Sequence, residues 1–258
     1  MTAKPPVSAY IRAKNERRMI GDVVRAALQA ADEVVVIDSG STDETIALAT
    51  AAGARVIRQE WLGNGRQKRF AEDKCGHDWL LDLDADEIVT PELAEEIRAL
   101  FAEGAPSCGV YRTPVAIAPP VGKPWIGFGG VIRHKLYDRR QVRAPDHAAW
   151  DQFEIPAGVA VGVLKNPLLH YAFSDTAHLI DKLNRNSSTR ARELEPKPAP
   201  LLILRIFFGL PFYVAKRYLL GGLFRGGVYG FAFSMMSGFG RWMRDVKMYE
   251  RRVRERAK

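Results

Sequence analysis

In the first third of this chain, short apolar runs of strand length alternate with helical patterns. That alternation leaves little but an open α/β sheet to fold into. Residues 7–11 read as a strand, and residues 16–30 as a helix with Ile20, Val23, Val24, Ala27 and Leu28 on one stripe. Residues 33–38 are a continuous apolar run closed by Asp38, the pattern of a buried parallel strand. Ser41 and Glu44 have capping-box spacing and open a helix to Ala52, which Gly53 ends. Residues 54–59 predict a third strand, 64–75 a helix, and a fourth strand ends in aspartates. Thr90, Pro91 and Glu92 then supply an N-cap, a first-turn proline and an acidic first turn. The expected fold class is α/β: an open mixed, mostly parallel sheet with helices on both faces. In such sheets ligands bind beyond the carboxyl ends of the strands.

Each of those ends is polar. The first strand delivers Arg12, Lys14, Asn15 and Glu16, and the second Asp38 to Asp43 with Gly40 between. After the third come Arg66, Gln67 and Lys68, and the fourth delivers Asp82, Asp84 and Asp86, with Glu87 next. Side chains two apart on a strand share a face, so Asp84 and Asp86 can aim at one point. Taken alone, this acidic stretch fits a solvated turn as well as a divalent-cation site. Clustered carboxylates repel, and a hard cation removes that cost while needing only one or two of them to bridge to phosphates. Four polar strand ends in one sheet favour a shared ligand crevice over four unrelated turns. Asp38 can accept hydrogen bonds from a base or ribose, and Arg66 and Lys68 can balance a diphosphate.

Beyond Phe101 the pattern loosens. Residues 110–117, 131–137 and 159–164 predict strands, 119–130 a Pro- and Gly-rich loop over the site, and 176–194 a helix. Prolines at 196, 198 and 200 mark a linker, dividing residues 1–195 from a tail, 196–258, that is helical and amphipathic. The tail is also basic. From Arg190 to Lys258 there are 15 Lys/Arg and 5 Asp/Glu, a net +10, against 23 and 25 in the rest, a net −2. Its apolar runs, 201–215 and 228–239, are interrupted or flanked by Arg205, Pro211, Arg225 and Arg241, and aromatic residues interleave with basic ones. That predicts a helical segment lying on an anionic membrane surface rather than crossing it. Two distant cysteines, Cys75 and Cys108, fit a reducing compartment, and the short polar N-terminus predicts no signal peptide. The expected location is cytoplasmic, peripheral on the inner face of the cell membrane.

Lys14-Asn15-Glu16, the segment 36–43, Gln59-Glu60-Trp61, Gly65 to Lys68, Asp82 to Glu87, Leu168 to Tyr171, and Ser237 with 247–250 together resemble family 2 glycosyltransferases with the GT-A fold. The nearest branch is the small bacterial enzymes that extend the lipopolysaccharide core. The resemblance implies an inverting transfer from a nucleotide-sugar, most simply a UDP-sugar, to a lipid-linked or lipopolysaccharide-core acceptor, with Mg2+ or Mn2+ as cofactor and no nucleic-acid partner. It implies that Asn15, Glu16 and Asp38 hold the nucleotide, that Gln67 and Lys68 lie near the diphosphate, and that Asp84 and Asp86 frame the metal, Asp84 also facing the nucleotide. The family's Val-His-Glu-like triplet corresponds to Ala149-Trp150-Asp151, which makes Asp151 the expected catalytic base, with Asp146 and His134 as rivals. Trp150 replaces the usual His, and the segment 129–137 is shorter than the family pattern. A nucleotidyltransferase and a non-catalytic basic membrane-binding protein are the competing readings. A dinucleotide oxidoreductase has no support, because no G-x-G-x-x-G follows the first strand.

Overall fold

The computed structural model describes residues 5–195 and 197–256. It divides into two compact units: residues 1–116 with 131–171, and residues 117–130 with 172–258.

The first unit is built on a mixed sheet. Its strands are β1 (Val7–Ala13), β2 (Glu33–Asp38), β3 (Arg55–Arg58), β4 (Trp79–Asp84), β5 (Glu87–Val89), β6 (Val110–Ile117), β7 (Val131–Asp138), β8 (Val161–Val163) and β9 (Leu168–His170). The order is β3-β2-β1-β4-β7-β6-β9-β5, with β8 paired to β6. The first four strands in that order run parallel, and β4–β7, β7–β6 and β9–β5 pair antiparallel. Alternation along β1 explains the layers. Val7, Ala9 and Ile11 join one apolar core with residues of α1 (Ile20–Ala27), α2 (Thr45–Ala51) and α4 (Pro91–Leu100). Tyr10 joins the other core with Ala71 of α3 (Asn64–Lys74) and with Leu80 and Tyr137. Helices therefore cover both faces, as the alternation of elements predicts.

Two local expectations are corrected. α1 begins at Ile20, not at residue 16, because the stretch before it is a turn: Asn15 sits at φ +57° and the Glu16 carbonyl accepts from Met19 and Ile20. The capping box at Ser41 does not form. The Ser41 hydroxyl bonds the Asp38 carboxylate instead, and Asp43 caps the first turn of α2 by accepting from the Thr45 amide at 3.0 Å. The Thr90 N-cap is present, its hydroxyl accepting from the Leu93 amide at 3.2 Å, with Pro91 in the first turn. The short strands β5 and β9 carry too few residues for a recognisable pattern, and pairing with other strands defines them.

The second unit contains α5 (Thr176–Glu193), α6 (Ala199–Ala215), a π-helical turn Lys216–Leu220, a 3-10 turn Leu223–Gly226 and α7 (Gly227–Arg256). The Pro/Gly-rich segment is a loop, and it belongs to this unit. Its Trp125 is buried with Phe173, Leu179, Leu223 and Phe233. The units thus divide at other positions than the proline linker would place them, because α5 and Trp125 share a core with α7. α6 continues through the π turn, so residues Ala199–Leu220 form one 22-residue helix, long and apolar enough by composition to span a bilayer. The sequence reading, stopping the run at residue 215, underestimates that length.

Beneath the sheet runs a buried polar chain. The Tyr10 and Tyr137 hydroxyls lie 2.8 Å apart, and Tyr137 donates to Glu72 Oε1 at 2.8 Å. Glu72, fully buried, also accepts from the Ala144 amide at 2.7 Å and from Arg143 Nε at 2.6 Å. Burial, with the neighbouring carboxylates, pushes both phenols well above their ordinary range, so they act as hydrogen-bond partners only. Glu72→Ala orphans three donors at once. It should lower unfolding free energy in urea by about 3–5 kcal/mol, whereas Asp73→Ala on the exposed side of α3 should cost roughly 1 kcal/mol or less.

Candidate active site

Asn15 ties two of the strand-end loops together. Its amide donates to Ser41 Oγ at 2.8 Å, and its side-chain carbonyl accepts from the Thr42 amide at 2.8 Å. Asp38, buried, accepts from the amides of Gly40 and Ser41 at 3.1 and 3.0 Å, folding the loop after β2 back on itself. Gly40 reaches φ +91° there, a conformation that favours glycine. Gln67 is wholly buried: its amide nitrogen lies 3.2 Å from Ser39 Oγ, and its carbonyl accepts from the Leu62 amide at 3.1 Å. Asn15, Asp38 and Gln67 thus brace the loops at the strand ends. Glu16 forms part of the open surface.

That surface is a cleft of about 500 Å³, lined by Arg12, Lys14, Glu16, Ser39, Trp61 and Asn64 with Asp84 and Asp86. A second cleft of about 390 Å³ shares Asp84 and adds Lys68, Asp82, Glu87, His134, Lys135, Asp151 and His170. Both lie wholly within the first unit. Trp61, 52% exposed, offers its ring to the first cleft.

An ionic lattice holds the shared wall. Arg12 Nη2 binds Asp84 Oδ1 at 2.8 Å and lies 3.5 Å from Asp151. Lys68 Nζ binds Asp82 at 2.6 Å and lies 3.3 Å from Asp151. Lys135 Nζ binds Glu87 at 2.6 Å and lies 4.0 Å from Asp84. Glu87 Oε2 also accepts from the Asp84 amide at 3.1 Å, so the turn after β4 is pinned from within. The enclosing protein opposes ionisation of Asp84, but Lys135, Arg12 and Lys68 outweigh it and hold its carboxyl well below the usual carboxylate range. Burial likewise opposes charge on Asp82, and Lys68 and Lys135 bring it down. Glu87 goes the other way, raised by its burial and by Asp84 against the pull of Lys135. Burial disfavours charge on Lys135, yet Glu87, Asp82 and Asp84 keep it firmly protonated.

Sequence reasoning brings Asp151, Lys68, Asp84 and Asp86 to this place, and the structure gathers them there. Of the rival bases, Asp146 is on the exposed surface, paired with Arg66 at 2.9 Å. That pairing also engages Arg66 away from the two clefts. His134 lines the second cleft, its pKa lowered by burial and by Arg112 and Arg133. The sequence reading misses Lys135 and His170. Lys135 has a signal in hindsight, a lone lysine before the apolar pair Leu136-Tyr137 of β7. His170 has none beyond its place in a short motif. Pairing of β9 with β5 sets it opposite Glu87, and its Nε2 lies 3.3 Å from Asp86 Oδ2. Burial lowers the His170 pKa, but the Asp86 carboxylate more than compensates and raises it.

Among the described residues no group of three or more His, Cys, Asp or Glu is arranged to hold a metal. A cation bridging to a diphosphate needs only one or two protein carboxylates. Asp84 and Asp86 at the wall of an open cleft, with the His170 imidazole beside Asp86, fit that requirement. The local charge agrees: Arg12, Lys68 and Lys135 face Asp82, Asp84, Glu87 and Asp151, an excess of carboxylate that would repel a diphosphate on its own.

Comparison with known proteins gives the class to which this mixed sheet with polar strand-end clefts belongs. Residues 8–159 match the family described as Glycosyl transferase family 2, and the chain belongs to that family. An uncharacterized glycosyltransferase of Rickettsia felis is 31% identical, covering 95% of this chain and 89% of its own. The lipopolysaccharide core biosynthesis glycosyltransferase LpsC of Rhizobium meliloti is 29% identical over 97% of this chain and 94% of its own. Among solved structures, glucosyl-3-phosphoglycerate synthase from Mycobacterium tuberculosis, in complex with Mg2+ and UDP, is 26% identical over 45% of this chain and 44% of that one, with a TM-score of 0.34. The protein is an enzyme, and family membership sets aside the nucleotidyltransferase and non-catalytic readings.

Removing one member of the lattice should expose its cost. Lys135→Met leaves Glu87 buried without its counter-charge and should lower stability by roughly 3–5 kcal/mol. Lys135→Met combined with Glu87→Leu should recover most of that loss in denaturant titrations, while either single variant does not.

Proposed function

We propose that this enzyme transfers a hexosyl group from a UDP-sugar to a hydroxyl of a lipid-linked or lipopolysaccharide-core acceptor, with inversion and dependent on Mg2+ or Mn2+, at the cytoplasmic face of the membrane. The observation that carries this reading is the common wall of the two clefts: Asp84 borders both, and Asp151 stands in the second, within 3.5 Å of Arg12 and Lys68. The likeness to LpsC supports the acceptor class.

In this reading the first cleft takes the donor. Trp61 gives an aromatic face for the base, Glu16 lines the nucleotide end, and Asn15, Asp38 and Gln67 keep the loops in place around it. Asp84 and Asp86, with His170, would hold the divalent cation, which when bound neutralises the departing diphosphate. The acceptor lies in the second cleft. Its hydroxyl oxygen forms a bond to the donor C1 from the face opposite the leaving group, and the C1–oxygen bond to the diphosphate breaks. The hydroxyl proton passes to the Asp151 carboxylate, which Lys68 and Arg12 hold in position. UDP leaves with the bonding electrons. Attack on one face and departure from the other give inversion.

UDP release measured with an acceptor extract tests these assignments. Asp151→Asn should lower kcat by about 10²–10⁴-fold with little change in donor KM. Asp84→Asn and Asp86→Asn should lose activity while remaining folded, and excess chelator should silence the wild type until Mn2+ is restored. Full activity in chelator would remove the metal from the scheme, and an unimpaired Asp151→Asn would move the base elsewhere, with His134 next to be tested. A panel of nucleotide-sugars with Mn2+ identifies the donor: at 100 times its dissociation constant the true one adds about 2.7 kcal/mol to stability.

A further inference from the structure

The second unit carries a surface that transfer chemistry does not use. One side of α6 packs inward: Leu202, Gly209 and Tyr213 are buried, and Arg205 forks onto Asp245 of α7, Nη2 to Oδ2 at 2.9 Å, beside the Tyr213 hydroxyl at 2.7 Å. The other side is apolar and open. Leu204, Phe207, Phe208 and Phe212 recur at helical spacing, and Phe207 is 75% exposed. The apolar run reaches the helix end at Leu220, 83% exposed, and continues beyond it with Phe224 and with Val228 at 89% exposure. Single exposed apolar residues are ordinary, but a continuous aromatic stretch of this kind marks a contact surface. Lys216, Arg225 and Arg241, all exposed, accompany it, in a segment whose net charge is +10 from residue 190 onward. Aromatic side chains with basic neighbours suit an anionic lipid interface better than a second protein, whose contact core would be depleted of charge.

We propose that this face enters one leaflet of an anionic bilayer as a hairpin and does not cross it. The proposal rests on the membrane-face reading above and specifies its mode. The helix Ala199–Leu220 is long enough to span, about 33 Å at 1.5 Å per residue. Its buried side, however, lies against the polar part of α7. Trp242 Nε1 donates to the Ile206 carbonyl at 2.8 Å, the Arg241 guanidinium stands 4.9 Å from the centre of the Tyr213 ring, and Arg244 binds Asp245 at 3.0 Å. One turn further along, Lys247 is tied to Asn184, Ser187 and Ser188 of α5. Threading α6 across a bilayer would carry Arg205, Arg241, Arg244 and Asp245 into hydrocarbon, a costly burial for four ionised groups. Entering one leaflet only immerses Phe207, Phe208, Leu220 and Val228 and leaves the ion pairs out of the hydrocarbon.

The test uses the full-length protein with sealed phosphatidylethanolamine/phosphatidylglycerol vesicles, and phosphatidylcholine vesicles as the neutral comparison. Wild type should float with the anionic vesicles, and high salt should release only part of it, because the apolar share is not screened. The combined Phe207→Gln, Phe208→Gln, Leu220→Gln, Val228→Gln variant should lose about a hundredfold in vesicle affinity, with its unfolding midpoint and UDP release kept. Wild-type vesicle affinity in that folded variant overturns the assignment. So does a wild type that ignores lipid but dimerises through these residues, which would make a second copy the occupant. For depth, a fluorophore on Leu220→Cys in a Cys108→Ser background should be quenched by shallow nitroxide lipids of the outer leaflet. Quenching by probes confined to the inner leaflet would show crossing and refute the hairpin. Vesicle binding that persists when no nucleotide-sugar supports transfer upholds the surface while counting against the chemistry proposed above.

Discussion

The Arg12–Asp84 ion pair, at 2.8 Å, is the contact on which the active unit turns. It joins the end of the first strand to the end of the fourth, neighbours in the sheet, and sits where the two clefts meet. Lys68–Asp82 and Lys135–Glu87 extend it on either side. Buried ion pairs seldom add much net stability compared with a well-packed apolar core, while breaking one is expensive. A lattice of this kind makes physical sense where its geometry matters more than its contribution to folding. Here it fixes the Asp84 backbone through Glu87 and keeps Asp151 within reach of two cations.

Around the lattice, several polar residues brace the loops beside the clefts. Asn15 accepts from the loop after β2, Asp38 closes that loop on itself, and Gln67 donates to Ser39 within it, so the cleft is shaped before anything enters it. Preorganisation of that sort limits what must be ordered at the moment of binding. It also separates two effects that activity measurements alone would merge. Asp38 is the acceptor that holds a loop together, whereas Asp86 is a group at the cleft wall.

The helical unit solves a different problem. α6 is apolar nearly all round, and a water-exposed helix of that composition needs partners on every side. α7 supplies one, through Asp245, Trp242 and the close approach of Gly238 to Val214, where a Cβ would fall 2.6 Å from the valine side chain. Among the described residues the remaining face is exposed, and its aromatic character follows directly from the sequence of residues 201–220.

Periodicity in the sequence by itself determined the sheet and its helical layers, because alternation of buried residues along a strand and recurrence along a helix are local properties. That Asp84 and Asp86 sit together at a strand end was legible from local spacing, whereas Asp151 was placed in the second cleft only through a family motif. What the sequence left undecided are matters of long range. Lys135 reads as an ordinary strand residue until β7 pairs with β4 and carries it to Glu87. His170 meets Asp86 only through the pairing of two three-residue strands distant in the chain. The capping box failed because the Ser41 hydroxyl donates to the charged Asp38 carboxylate and accepts from the Asn15 amide, leaving Asp43 to accept from the first turn of α2. Local pattern sets which elements form. Only tertiary contact decided which charges compensate one another, since that depends on distances between residues that no local window spans.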